Sequence, residues 1–178
     1  MSTTYGLLLL QLACLSIVSV SSYQTHNQQS VVTTTVVLPA GYVHYPTVNA
    51  AYKINRDERS WSDAREACIA EGARLAVIDS WEKFHIIVAN KRRDDVVWVG
   101  IKKKHGSWND SANQARVMNI PWAPNNPHGF GDCVAVKSSG RGLGNKLCMW
   151  VEPFACEIPT APNIYQSPNT VWSDGRTG

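Results

Sequence analysis

The stretch Trp122–Glu157, WAPNNPHGFGDCVAVKSSGRGLGNKLCMWVEPFACE, decides how this chain is read. It holds three of the five cysteines, Cys133, Cys148 and Cys156. It opens on a run of Pro, Asn and Gly that buries little side chain and needs a covalent frame to keep a shape. The irregular composition begins further back, at Ser107. Ser107 to Gly131 therefore reads as one loop of roughly 25 residues, a length that in a compact domain points to function. Cys133–Lys137 alternates as a strand, Ser138–Asn145 reads as a turn region, and Cys148–Glu157 supplies two more short strands.

Upstream of the loop, regular patterns return. Val96–Ile101 is a buried-looking strand set between two charged turns, Lys91–Asp95 and Lys102–Gly106. Before it lies a helix from Trp81 to about Asn90, capped by Asp79 or Ser80, with Phe84, Ile87 and Val88 on one face. Arg74–Ile78 is a short apolar strand. A first helix starts behind Ser60, which can cap it, with Asp63 adding negative charge to the first turn. Trp61, Ala64 and Ala67 or Cys68 recur at helical spacing, and Gly72 marks its end. Tyr42–Tyr45 and Ala51–Ile54 read as short strands around Pro46–Asn49. Val31–Leu38 is β-branched almost throughout and reads as a strand or an extended arm.

The whole chain has 178 residues, 44% hydrophobic and 17% charged, with a formal charge of +3. One domain with a real core follows from that, and the charge falls far short of the basic stripe of a nucleic-acid binder. Residues 1–22 read as a secretory signal: an apolar run from Leu7 to Val18, then small residues suited to a signal peptidase. Gln11, Ser16 and Ser19 interrupt the run too often for a membrane anchor. Removing the signal takes Cys14 with it and leaves Cys68, Cys133, Cys148 and Cys156, an even number in an oxidising compartment. No pair has CxxC spacing, so zinc is a poor reading beside disulfides; spacing alone leaves all three pairings open.

Two helices, short strands, a long loop and close cysteines make an α+β domain, and at this point particular residues carry a likeness. They are Trp61–Cys68, Gly72–Ile78, Trp98-Val99-Gly100-Ile101, Pro124-Asn125-Asn126, Asp132-Cys133-Val134 and Pro153–Glu157, in that order. Together they resemble the C-type lectin-like domain in its secreted insect form, the hemolymph lipopolysaccharide-binding or immune lectin type. The resemblance implies two helices with two small antiparallel sheets and a long disulfide-framed loop. It places the domain at residues 39–159, after an extension at 23–38 and before a disordered tail at 160–178. It also implies the pairs Cys68–Cys156 and Cys133–Cys148, and a core containing Trp61, Leu75, Ile78, Trp98 and Phe154.

In sugar-binding members of that family a calcium ion sits on the long loop, held by six to eight oxygens, several of them carboxylate. Carried over residue by residue, the cage is depleted. The family's Glu-Pro-Asn or Gln-Pro-Asp reads Ala123-Pro124-Asn125, the Glu two before the cysteine reads Gly131, and Trp-Asn-Asp reads Leu143-Gly144-Asn145. Asn125 and Asn145 remain as neutral oxygens, with Asp132 nearby. Two amides do not offset the dehydration of the ion. The expectation is no confident metal site, with Asn125, Asp132 and Asn145 as remnants. Trp108-Asn109-Asp110 spells the family tripeptide in the wrong place, but Asn109-Asp110-Ser111 is a glycosylation sequon on an expected loop.

The remaining candidates are ligand-contacting and anion-binding residues. Asn125, Asn126, His128, Phe130 and Asn145 lie on the loop, with Phe130 bracketed by Gly129 and Gly131. Lys91-Arg92-Arg93 and Lys102-Lys103-Lys104 are candidates for an anionic partner, against the bland reading of solvated turns. No nucleophile elbow, zinc-helix motif or phosphate-cradling loop occurs, so the chain does not read as an enzyme. The expected partner is carbohydrate or lipopolysaccharide, bound outside the cell with weak or no calcium dependence. The rival reading is a lectin fold that lost sugar binding and contacts another protein.

Overall fold

The computed structural model describes residues 37–160 of the chain. The readings for residues 1–36 (the leader and most of the extension) and for 161–178 lie outside the described residues. The chain enters by β1 (Val43–Tyr45), a 3-10 turn at Pro46–Val48 and β2 (Ala50–Arg59). It continues through α1 (Trp61–Ala70), β3 (Arg74–Leu75), α2 (Trp81–Asn90), β4 (Val97–Lys104) and β5 (Ser107–Asp110). It closes with β6 (Cys133–Val136), β7 (Leu143–Lys146) and β8 (Glu152–Pro159).

Both helices start on a serine that meets a free backbone donor. Ser60 Oγ accepts from the Asp63 N–H of α1, and Ser80 Oγ from the Lys83 N–H of α2. α1 ends at Ala70, and Gly72, at φ +74°, turns the chain out of it. Trp61, Ala64 and Cys68 form the buried face of α1, Phe84 and Ile87 that of α2.

The expected two sheets are one. Its strand order is β1-β2-β8-β4-β6-β7, with β3 added to β8 and β5 to β4. The two halves join where β4 meets β8 in parallel at Trp98 and Phe154, both buried, so the ladder runs through the core. β4 then divides that core by simple alternation. Val97, Val99 and Ile101 face one cluster with Phe84, Ile87 and Leu143. Trp98 faces the other, with Trp61, Leu75, Phe154 and the buried disulfide cysteines Cys68, Cys133 and Cys156. Gly100 is glycine because a Cβ there would lie 2.3 Å from the Leu75 carbonyl oxygen.

Cys68–Cys156 ties α1 to β8, and Cys133–Cys148 ties β6 to the turn beyond β7. Next to Cys156 on β8, the Glu157 side chain is buried at 2% exposure. It accepts from the Val77 N–H at 2.8 Å and faces Arg74, which also bridges to Asp110 at 3.0 Å.

Several stretches differ from the sequence reading: Leu143–Asn145, read within a turn region, lies in β7, and Cys148–Glu157, read as two short strands, holds a turn and then β8 alone. Lys102–Lys104 is not a turn but the end of β4, and Ser107–Asp110 is not loop but its antiparallel partner β5. The reversal takes only His105 (φ 49°) and Gly106 (φ 78°), a two-residue hairpin with both central residues left-handed. A histidine ahead of the glycine hides that signal, since asparagine or aspartate is the usual residue there.

Candidate ligand-binding site

The long loop is laid against β7 by backbone bonds. Ala123 N–H donates to the Leu143 carbonyl at 2.8 Å, and Leu143 N–H to the Pro121 carbonyl at 2.9 Å. Trp122 is half-buried and meets Trp108 edge to face, 5.0 Å between centroids. The Asn126–Pro127 peptide is cis, and Asn125 is left-handed at φ 61° and exposed.

Asn145 is the centre of this loop. Its Oδ1 accepts from the His128 N–H at 2.9 Å, while Nδ2 donates to the His128 and Gly131 carbonyls, each at 2.9 Å. Both amide protons are used and the residue is 9% exposed. It ties His128–Gly131 to β7. Asn126 also turns inward: Nδ2 donates to the Pro124 carbonyl at 3.0 Å, and Oδ1 is buried with no protein donor. A Cβ on Gly144 would sit 2.8 Å from that Oδ1, so Asn126 occupies the space that a side chain at 144 would need.

The residues present do not fit a calcium ion. Ala123 is a buried methyl group, and Asn145 is spent on backbone. Gly131 (φ +120°) lies so close to β7 that a Cβ would meet the Lys146 carbonyl carbon at 2.2 Å, leaving no room for a glutamate. Among the described residues no three His, Cys, Asp or Glu side chains group as a metal would require.

In place of a cage, the loop and the face of β6 and β7 enclose a cavity of about 470 Å³. His128 and Phe130 line it with Ala135, Lys137, Lys146 and Trp150. Phe130 is 90% exposed and Trp150 51%, an aromatic pair at a shallow apolar floor. Lys146 Nζ lies 4.6 Å from the Trp150 ring centroid and pairs with Glu152. Of the loop candidates, His128, Phe130 and Asn145 come together here; Asn125 does not line the cavity. Trp150, Lys137 and Lys146 escaped the sequence reading. Their one available signal was a tryptophan two residues past a disulfide cysteine, in a turn.

The basic residues split. Lys91 is a structural cation: its Nζ donates to the carbonyls of Arg92, Arg93, Asp95 and Ser138. Burial pushes its pKa below the ordinary lysine range, against the pull of Asp95 and Asp94. Arg92 and Arg93 are exposed at the α2–β4 turn, and β4 separates them from Lys102–Lys104 by about 23 Å at strand rise. The sequon residue Asn109 sits on β5, not on a loop, because the tight hairpin pairs it with Lys102. Its Nδ2 donates to the Ser107 carbonyl at 3.2 Å, and Ser111 is buried.

Residues 57–158 match the family model described as "Lectin C-type domain". The chain belongs to the C-type lectin domain family. This lectin domain is 30% identical over 128 residues to human asialoglycoprotein receptor 2, covering 67% of this chain and 40% of the receptor. It is 25% identical over 138 residues to the hemolymph lipopolysaccharide-binding protein of Periplaneta americana, covering 68% of this chain and 53% of that one. The chain thus spans about two fifths of the receptors it matches. Among solved structures, human lithostathine superposes with a TM-score of 0.62 at 20% identity, covering 71% of this chain and 94% of that one. A calcium-independent type II antifreeze protein does so with a TM-score of 0.62, also at 20% identity, covering 70% and 96%. These likenesses confirm the fold of the lectin domain. No helix among its described residues is long and apolar enough to cross a membrane.

Proposed function

We propose that this chain is a secreted recognition protein of innate immunity that binds microbial surface glycan or lipopolysaccharide with weak or no dependence on calcium. The observation that carries the reading is the bonding of Asn145, whose amide secures the loop where the family would hold an ion. A sugar ring then has Phe130 and Trp150 to stack on, with His128 and Lys137 beside them as polar groups. Membership of a lectin family supports carbohydrate, and the name of the cockroach relative supports lipopolysaccharide. The role is binding, not catalysis.

The test is binding of the purified chain to mannan, galactose resin and lipopolysaccharide, each with calcium and with chelator. Retention that survives chelator and is lost in Phe130→Ala with Trp150→Ala supports the proposal. Elution by chelator from mannan or galactose overturns it.

One observation favours the rival reading, a contact with another protein. Leu147, Met149, Trp150 and Val151 form an exposed apolar run next to Phe130, with Met149 at 77% exposure. Failure to bind any glycan, with specific capture of a host lectin, would select that reading. We also propose Asn109 as an N-glycan acceptor, read by a mass shift after enzymatic deglycosylation of secreted protein.

A further inference from the structure

A second concave site lies apart from the loop, between α1 and the β4–β5 hairpin, and encloses about 490 Å³. We propose that it binds a sulfate or phosphate ester carried on a polysaccharide. The choice of polysaccharide rests on the glycan reading above; the choice of an anion rests on the site alone.

Strand alternation builds the floor. Lys102 and Lys104 project from the same face of β4, and Asn109 is the cross-strand partner of Lys102 on that face. Lys103 also borders the groove, but its ammonium is turned to the other face, 5.8 Å from the Trp108 ring centroid. α1 supplies the wall, with Trp61 and Arg65. Two ammoniums from the sheet and the Arg65–Glu66 pair from the helix therefore border one groove, although they are distant in sequence.

The partners of these cations show why the groove keeps its charge. Lys102 Nζ lies 5.2 Å from the centroid of Trp61, whose own indole N–H is fixed on the Val99 carbonyl at 2.9 Å. Lys104 Nζ donates to Gln114 Oε1 at 3.2 Å. Both are held by uncharged groups, so they are oriented but not neutralised. Two carboxylates also border the groove: Asp110 is paired with Arg74 from outside it, while Glu66 is paired with Arg65 on the exposed helix face and offsets the charge of that guanidinium. Like charges side by side on a strand repel, and an anion between them relieves that repulsion. The two ammoniums match one ester group. A nucleic-acid backbone would need a longer row of cations. Asn109 borders the groove, so a glycan attached there would compete for the same space.

The experiment measures binding of deglycosylated, disulfide-intact full chain to dextran sulfate, uncharged dextran, inorganic phosphate and a DNA oligonucleotide, at low and high salt. The variants are Lys102→Ala with Lys104→Ala, and Arg92→Ala with Arg93→Ala as a control of equal charge. The expected result is salt-sensitive binding to dextran sulfate alone, weakened about tenfold in the lysine variant and little changed in the control. Equal losses in the two double variants would reduce the effect to net charge and overturn the site. Equal binding of DNA, or of inorganic phosphate without dextran sulfate, would overturn the ligand class. Thermal unfolding checks that the lysine variant folds, and Lys102→Arg with Lys104→Arg should retain binding. Mannan retention reads the loop independently, so loss of one site leaves the other reading standing.

Discussion

Asn145 was legible as a residue and not as a role. Read from sequence it is a neutral remnant of a metal ligand; in the fold all three of its bonds go to backbone. The difference lies in the positions of His128 and Gly131, which no local pattern reports. Asn145→Asp would keep an acceptor for the His128 N–H but turn a carboxylate toward two carbonyls that have lost their donor. The expected cost is about 2 kcal/mol, seen as a lowered unfolding temperature, with no recovery on adding calcium. A calcium-dependent rise would show that the cage had only been short of one charge. Tyr52 is the second such residue. Its hydroxyl is buried with no protein partner, and burial, then the charges of Glu157 and Asp79, raise its pKa far above the phenol range, with Arg74 opposing. The folded state holds the proton while the unfolded chain releases it near pH 10. Stability that is complete below that pH is therefore lost as pH rises beyond it. Tyr52→Phe should be neutral or stabilising at pH 8 and should flatten the alkaline limb of a stability profile. An unchanged limb would clear Tyr52 of that role and leave Tyr42, whose pKa is also raised by burial and by its bond to Glu71.

At the scale of elements, the helices and the central strand were readable because each carries its own signal. Ser60 and Ser80 cap the helices, and the alternation of Val97, Trp98, Val99 and Ile101 shows two buried faces. Gly100 interrupts that strand for a reason only packing supplies, the approach of Leu75. Gly100→Ala should cost about 3 kcal/mol by forcing β3 and β4 apart, measured by urea unfolding. A loss below 1 kcal/mol would mean that the strands separate freely. The hairpin at His105-Gly106 was misread as a basic turn, which also hid the groove. Once Lys102 and Lys104 are strand residues, their common face follows from the pleat. Arg65 joins them only because α1 packs beside the sheet, so no stretch of sequence places it there.

For the molecule as a whole, the covalent frame is the main device. Cys68–Cys156 spans 88 residues and Cys133–Cys148 spans 15. In the chain-entropy model the first contributes about 4.5 kcal/mol and the second about 3 kcal/mol. Replacing each pair by serine should lower the chemical unfolding midpoint in that order. Loss of the short bridge should also abolish ligand retention at the loop, since it ties the start of β6 beside the cavity. An intact loop site in that variant would show that Asn145 alone suffices to hold it.

The sequence by itself determined the α+β class, the two helices and the central strand, because periodicity and caps are local facts; the core tryptophans and the depleted metal positions followed from its resemblance to the lectin family. Tertiary structure decided the rest. It joined the sheet through Trp98 and Phe154, turned Asn145 and Lys91 into backbone clamps, and gathered Phe130 with Trp150 and Arg65 with Lys102. Those arrangements depend on where distant segments meet, and burial and hydrogen-bond satisfaction settle that only when the chain is packed.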